Sequence, residues 1–203
     1  MRGLRRRGIL VVLLAFFVAL AGAAALTGVL PADAAVRNAV LGWASPTVVG
    51  VMRVANYGGE WRILLPGTLL LLALCRRARE RWWVWVVLMV TAPAAEGLLK
   101  HLVNRPRPEG ASSGFPSGHA TAAAAFFGAV LYLSGSLPSA SRRLVRVLAV
   151  ICMVSVGLAR IVLRAHWPSD VLGGMTLGFG LATVAAWLAA REDEAAQARR
   201  RGP

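Results

Sequence analysis

Residues 156–190 read VGLARIVLRAHWPSDVLGGMTLGFGLATVAAWLAA. Two apolar blocks, 145–163 and 169–190, flank a short polar bridge. That bridge sets out Arg160, His166 and Asp170, separated by five and three residues. Each block is near the ~20 residues a helix needs to cross the hydrocarbon of a bilayer. Pro168 suits the first turn of the second helix, because its fixed φ is already helical and its missing N–H has no intrahelical partner there. The stretch reads as two membrane spans joined by a turn rich in titratable groups.

Working outward, similar blocks occupy 8–30, 60–75, 82–100 and 118–135, the second of these being the shortest. Hydrophobic residues make up 57% of the chain and the mean hydropathy is +0.61, values outside the range of a water-soluble domain. The expected fold is all-α: a polytopic membrane protein, a six-transmembrane-helix bundle. With 203 residues, six spans leave no room for a separate soluble domain, so 1–203 is read as a single membrane-embedded domain with its motif core at 100–170. The first block, preceded by basic residues, also has the outline of a secretory signal, but its apolar run from Ile9 to Leu30 exceeds the usual 7–15 residues and is read as an anchor. Residues 31–60 mix apolar positions with turn formers; they fit a connecting loop with some helix, or a lip lying along the interface that guides a lipid tail. Cys75 and Cys152 have no Cys or His at metal-ligand spacing, so neither a disulfide nor a zinc site is expected.

The formal net charge of +14 would fit a nucleic-acid binder, yet its distribution is that of a membrane topology. Of the 23 cations, 15 lie in four groups: Arg2, Arg5, Arg6 and Arg7; Arg76, Arg77, Arg79 and Arg81; Arg142, Arg143 and Arg146; Arg191, Arg199, Arg200 and Arg201. All four fall on the same side of a six-span chain, so the positive-inside rule makes both termini cytoplasmic and opens the motif-bearing loops on the extracytoplasmic face of the cell membrane. Lys100, Arg105, Arg107, Arg160 and Arg164 oppose that bias. They need a local anionic partner.

Three segments supply it with chemistry. Glu96 and Lys100, four apart, share one helix face and can pair; the pair either holds Lys100 for a ligand or lets it reach the interface with its charge neutralised. Arg105-Pro106-Arg107-Pro108 stiffens a loop that can present guanidinium groups to oxyanions. Pro116-Ser117-Gly118-His119 opens the fourth span, with Ser117 suited to cap the helix and Gly118 allowing close approach to an N-terminus that favours phosphate. In the third segment, His166 and Asp170 lie about one helical turn apart, so the carboxylate can accept a hydrogen bond from one ring nitrogen and leave the other as a nucleophile. Three cations to clamp a phosphoryl group, backbone N–H groups to hold its oxygens, and two histidines to attack and to protonate read together as a phosphate-transfer site. His101, the third histidine, is expected merely at the interface.

This series resembles the signature of the type 2 phosphatidic acid phosphatase superfamily: Lys-x6-Arg-Pro, Pro-Ser-Gly-His and Ser-Arg-x5-His-x3-Asp. The match runs from Lys100 to Asp170, and the six-span layout is similar to that of the family's bacterial lipid phosphatases over nearly the whole chain. One position departs, Ala159 standing where the pattern has serine, with the loss of one hydroxyl. The resemblance implies that Lys100, Arg107, Ser117, Gly118 and Arg160 hold phosphate, that His166 becomes a phosphohistidine oriented by Asp170, and that His119 is the general acid.

The function expected is a metal-independent lipid phosphatase, without cofactor, that removes the terminal phosphate of an isoprenyl diphosphate such as undecaprenyl diphosphate, or of a phospholipid phosphate, at the outer face. A phosphotransferase passing the same phosphoryl group to an alcohol differs only in its acceptor. Vanadate-dependent haloperoxidases resemble the same superfamily but are soluble. A non-catalytic lipid-binding protein would leave His119, His166 and Asp170 without a purpose. The partners implied are the bilayer and its lipid phosphates, with neither nucleic acid nor metal.

Overall fold

The computed structural model describes residues 2–110 and 113–201. Among the described residues nine α-helices follow one another: α1 (Arg2–Thr27), α2 (Pro31–Gly42), α3 (Pro46–Asn56), α4 (Trp61–Leu74), α5 (Arg76–Glu80), α6 (Trp82–Val103), α7 (Gly118–Leu133), α8 (Ser139–Val162) and α9 (Pro168–Arg201). All six blocks expected to cross the bilayer are helical. Four of them, Arg7–Thr27, Trp82–Val103, Ser139–Val162 and Pro168–Ala196, are long and apolar enough to do so. By contrast α4 has 14 residues and α7 has 16, about 21 and 24 Å of helix at 1.5 Å per residue.

The helix ends follow from local chemistry. Asn104, in the left-handed conformation at φ 46°, closes α6 by donating its N–H to the Lys100 carbonyl at 2.9 Å, and Pro106 follows directly. Segment 31–60 is more ordered than a connecting loop. Pro31 and Pro46 occupy first turns, Ser45 Oγ accepts the Val48 N–H at 3.3 Å, and the Asp33 carboxylate accepts the Leu30 N–H at 3.1 Å.

At the centre, α7 packs against α9, α8 and α6 through an alanine-rich surface on which Ala120, Ala123, Ala124 and Ala125 are wholly buried. Lipid-embedded helices gain little by hiding apolar surface from one another, so close approach of small residues supplies the cohesion. At Gly178 a Cβ would lie 2.1 Å from the Thr121 carbonyl oxygen, and at Gly174 it would lie 2.5 Å from that of Ser117. These two glycines set the distance between α7 and α9.

On the flank, α1 is docked by Phe17, whose ring lies 5.9 Å from that of Phe115, and by buried Ala24. Outward faces are apolar, with Val12 and Leu14 on α1, Leu69 and Leu70 on α4, Val90 on α6 and Ile151 on α8 all exposed, the pattern of a lipid-facing surface. At the end away from the motifs, Arg81 pairs with Glu192 at 3.2 Å and with Asp193 at 3.0 Å, joining the basic α5–α6 junction to the polar tail of α9. The side chains of Arg2, Arg5, Arg6, Arg199, Arg200 and Arg201, on which part of the charge bias rests, lie outside the described residues.

Candidate active site

His166 sits in the tight turn between α8 and α9, and Asp170 lies in the first turn of α9; both are buried. One carboxylate oxygen of Asp170, Oδ2, accepts the Trp167 N–H at 2.9 Å and stands 3.4 Å from His166 Nδ1, a loose contact that nonetheless fixes which ring nitrogen faces the carboxylate. Nε2 is left as the ring's other nitrogen. Burial holds the His166 imidazole below the ordinary histidine range, the positive charges of Arg160 and Arg107 push the same way, and Asp170 opposes them through its hydrogen bond and charge. The ring is therefore neutral near pH 7, the form with a lone pair to offer.

The other oxygen of Asp170, Oδ1, is taken by Arg105 at 2.8 Å. Its proline-stiffened loop points Arg105 toward an oxyanion ligand in sequence; the fold instead buries it. Its Nη1 donates to Ser169 Oγ at 2.6 Å as well, and its Nη2 pairs with the Asp33 carboxylate. Asp33 also accepts the Ser169 N–H at 2.9 Å and the Ser169 hydroxyl at 2.7 Å. Burial raises the Asp33 pKa, but these bonds from Ser169 and Arg105 outweigh it and hold the carboxyl below its usual value.

Around the histidine pair stand the other selected residues. Lys100 pairs with Glu96, as the four-residue spacing requires, and the Glu96 carboxylate lies against the backbone of Gly118, where a Cβ would be 2.8 Å from Oε1. Arg107 reaches toward the Ser113 carbonyl at 3.5 Å. Arg160 donates to Asn56 Oδ1 at 2.6 Å, Asn56 donates to Glu60 Oε1 at 3.2 Å, and that oxygen is 3.9 Å from His119 Nε2. His119 in turn feels the charges of Arg160, His166, Lys100 and Arg107, so one compact cluster holds them all. Ser117 is the N-cap residue of α7, but its hydroxyl makes no capping bond; among the described residues, Ser117 Oγ and Arg160 Nε are buried without a hydrogen-bond partner. Its N–H donates to the Asp170 carbonyl at 3.0 Å, tying the start of α7 to α9. At the rim, Glu109 bridges Arg37 at 2.6 Å and Arg164 at 3.3 Å. His101 is exposed, apart from the cluster.

Residues 81–194 match the PAP2 superfamily. The chain belongs to that superfamily. It is 33% identical over 174 residues to phosphatidylglycerophosphatase B of Bacillus subtilis, covering 80% of this chain and 86% of that protein. It is 34% identical over 149 residues to decaprenylphosphoryl-5-phosphoribose phosphatase of Mycobacterium tuberculosis, covering 66% and 76%. The crystal structure of a transmembrane PAP2-type phosphatidylglycerolphosphate phosphatase from Bacillus subtilis superposes with a TM-score of 0.77 at 31% identity, over 91% of this chain and 96% of that one. Aquifex aeolicus LpxE, at 17% identity and a TM-score of 0.64, over 77% of this chain and 95% of that one, shares the fold. This PAP2 chain is thus a membrane phosphatase of the lipid phosphatase kind, a phosphoric ester hydrolase.

Four residues of the cluster escape sequence reasoning as site members, Asp33, Asn56, Glu60 and Ser169, while Arg105 is legible as a member but not in its role. The first three come from segment 31–60, where Asp33 and Glu60, acids among apolar neighbours, are the available signal and Asn56 has none.

Proposed function

We propose that this PAP2 phosphatase removes the terminal phosphate of a membrane lipid through a covalent phosphohistidine on His166, without a metal ion. His166 Nε2 attacks phosphorus as the bond to the lipid oxygen breaks, and His119 gives that oxygen its proton. Water then attacks the phosphohistidine, His119 takes a proton from it, inorganic phosphate leaves and both rings return to their starting state. Lys100, Arg107 and Arg160 neutralise the phosphoryl oxygens together with the Ser117 hydroxyl and the Gly118 N–H at the start of α7.

The observation that carries this reading is the neutral, buried His166 backed by Asp170 and facing a cluster of cations in which Ser117 Oγ and Arg160 Nε have no partner among the described residues. Each buried, unsatisfied polar group costs about 1–3 kcal/mol, and a phosphoryl oxygen would relieve both.

The same layout supports an extracytoplasmic site. The motifs lie at the end of the bundle opposite the Arg81–Glu192–Asp193 contacts, and the positive-inside rule argues for a cytoplasmic basic end, with both termini inside and the reaction outside. Six crossings result if α4 and α7 also traverse the bilayer, α7 within the sheath of its neighbours and α4 beside α6. The substrate arrives laterally, its headgroup at the rim and its tail on the apolar outer faces. Phosphatidylglycerophosphate, on the strength of the Bacillus relative, and undecaprenyl diphosphate, whose tail suits a site at the mouth of apolar helices, are the two substrates to separate first.

Phosphate release from these two lipids, phosphatidic acid and a water-soluble phosphate ester, each with excess chelator, tests the proposal. Turnover of a lipid phosphate that persists in chelator and exceeds that of the soluble ester is expected. Loss of activity in chelator, restored by a divalent ion, would defeat the metal-free mechanism.

A further inference from the structure

Three charged side chains stand in a row behind His166, and only the first touches it. Asp170 contacts the ring, Arg105 backs Asp170, and Asp33 backs Arg105; all three are at most 2% exposed. Ser169 ties the row together, accepting from Arg105 Nη1 at 2.6 Å and giving both its hydroxyl and its N–H to Asp33. Buried ion pairs contribute little net stability compared with well-packed apolar groups, because desolvation offsets their attraction. A row of three at this spot therefore calls for another explanation.

The division of labour at Arg105 supplies it. Nη1 faces Asp170 and Nη2 faces Asp33, so the guanidinium charge is shared between two carboxylates. Formally the row carries one net negative charge. Were Asp33 absent, Arg105 would neutralise Asp170 alone, and the ring would lose the negative field that stabilises it as it takes on positive character at phosphorylation. We infer that Asp33, a residue of α2 outside the three motifs, is a positioning residue for His166: acting through Arg105 and Ser169, it keeps Asp170 aligned and leaves the row one negative charge in excess. This rests on the reading of His166 as the nucleophile.

The inference predicts movements of opposite sign. The charged and titratable groups facing His166 are Asp170 on α9, Arg160 on α8, Arg107 after α6 and His119 on α7, with Arg105 and Asp33 behind Asp170. Asp33→Asn keeps the shape and most of the hydrogen bonds while removing a negative charge. Arg105→Gln removes the positive charge and leaves two carboxylates. The first makes His166 harder to protonate and the second makes it easier.

Full-length variants in detergent, each matching the wild type by size exclusion, are assayed for kcat and KM across the acid range. Asp33→Asn is expected to lower kcat by about tenfold or more with KM changed by less than about threefold. It is also expected to move the acid limb of the rate profile down by about half a pH unit or more. Arg105→Gln should move the limb up, and the double variant should return it toward the wild-type position. If Arg105→Gln fails to fold, the direction of the Asp33→Asn shift decides alone. An Asp33→Asn enzyme with wild-type kcat and an unmoved limb overturns the inference, and so does a fall in kcat with the limb in place, which is the signature of a merely structural role. His166→Ala separates this from the underlying reading: if that variant still turns over, the nucleophile is wrong and the inference falls with it, whereas an inactive His166→Ala beside an indifferent Asp33→Asn removes the inference alone.

Discussion

Gly174→Ala places one methyl group between α7 and α9, the helices that carry His119 and Asp170. The added Cβ would lie 2.5 Å from the Ser117 carbonyl oxygen and 3.1 Å from both Ala120 Cβ and Thr121 Oγ1. The first of these is backbone at the start of α7 and cannot swing aside. Reaching an ordinary contact of 3.4 Å requires about 0.9 Å of separation between α7 and α9 at this level. His119 rides on the first turn of α7 and Asp170 on the first turn of α9, so the two halves of the site separate by about the same amount. Displacements near 1 Å cost about 10²-fold in rate, and overpacking costs about 1–3 kcal/mol in stability, so the variant should fold but turn over about a hundredfold more slowly. Phosphate release from a lipid phosphate, with thermal unfolding of the same sample, measures both effects. Gly180→Ala, six residues further along α9 with no heavy atom of another element within 4 Å of its added methyl, should be close to wild type in both. A folded Gly174→Ala enzyme whose kcat stays within about threefold of wild type would refute the argument that glycine packing sets the site geometry.

Other outcomes follow from the same geometry. His119→Ala should slow a lipid substrate by about 10²–10⁴-fold but an aryl phosphate much less, because a good leaving group needs little protonation; equal losses would mean that His119 binds phosphate rather than donating a proton. The His166 pKa lies below the ordinary 6.5, and its neutral form is the nucleophile, so the acid limb of kcat/KM should fall below that value; a limb above 6.5 would contradict the effect of burial. Impermeant thiol labelling of single cysteines, in a background lacking Cys75 and Cys152, should mark positions near Arg107 and Trp167 in intact cells and leave the Arg76–Arg81 segment unlabelled; the reverse pattern would invert the topology.

The helices and the motif residues are legible in the sequence because each depends on short-range signals. Apolar blocks mark their own spans, Pro168 marks a helix start, the four-residue spacing of Glu96 and Lys100 places both on one face of α6, and that of His166 and Asp170 brings the turn before α9 against its first turn. Partners brought from afar are illegible. Arg105 meets Asp33 across 72 residues, and Arg160 meets Asn56 across 104, distances over which no periodicity or cap carries information. For that reason Arg105 reads like Arg107 in sequence, as one more guanidinium in a proline-stiffened loop, although the fold gives it two carboxylates of its own. Ser117 misleads in the opposite sense: a serine before a helix reads as a cap, yet its hydroxyl is left free of the α7 backbone. Segment 31–60 shows its helix starts at Pro31 and Ser45-Pro46, but beyond two acids among apolar neighbours nothing in its composition reveals that Asp33, Asn56 and Glu60 reach into the site.

Trapping the covalent intermediate tests the central claim most directly. Enzyme mixed with a lipid substrate labelled in its terminal phosphate, quenched in alkaline detergent within a single turnover and digested, should carry label on the peptide containing His166. That label should survive base, be lost in acid and be missing from His166→Ala. Phosphate release by wild-type enzyme with no labelled protein at any time in the turnover, or label persisting in His166→Ala, would contradict a phosphohistidine at His166.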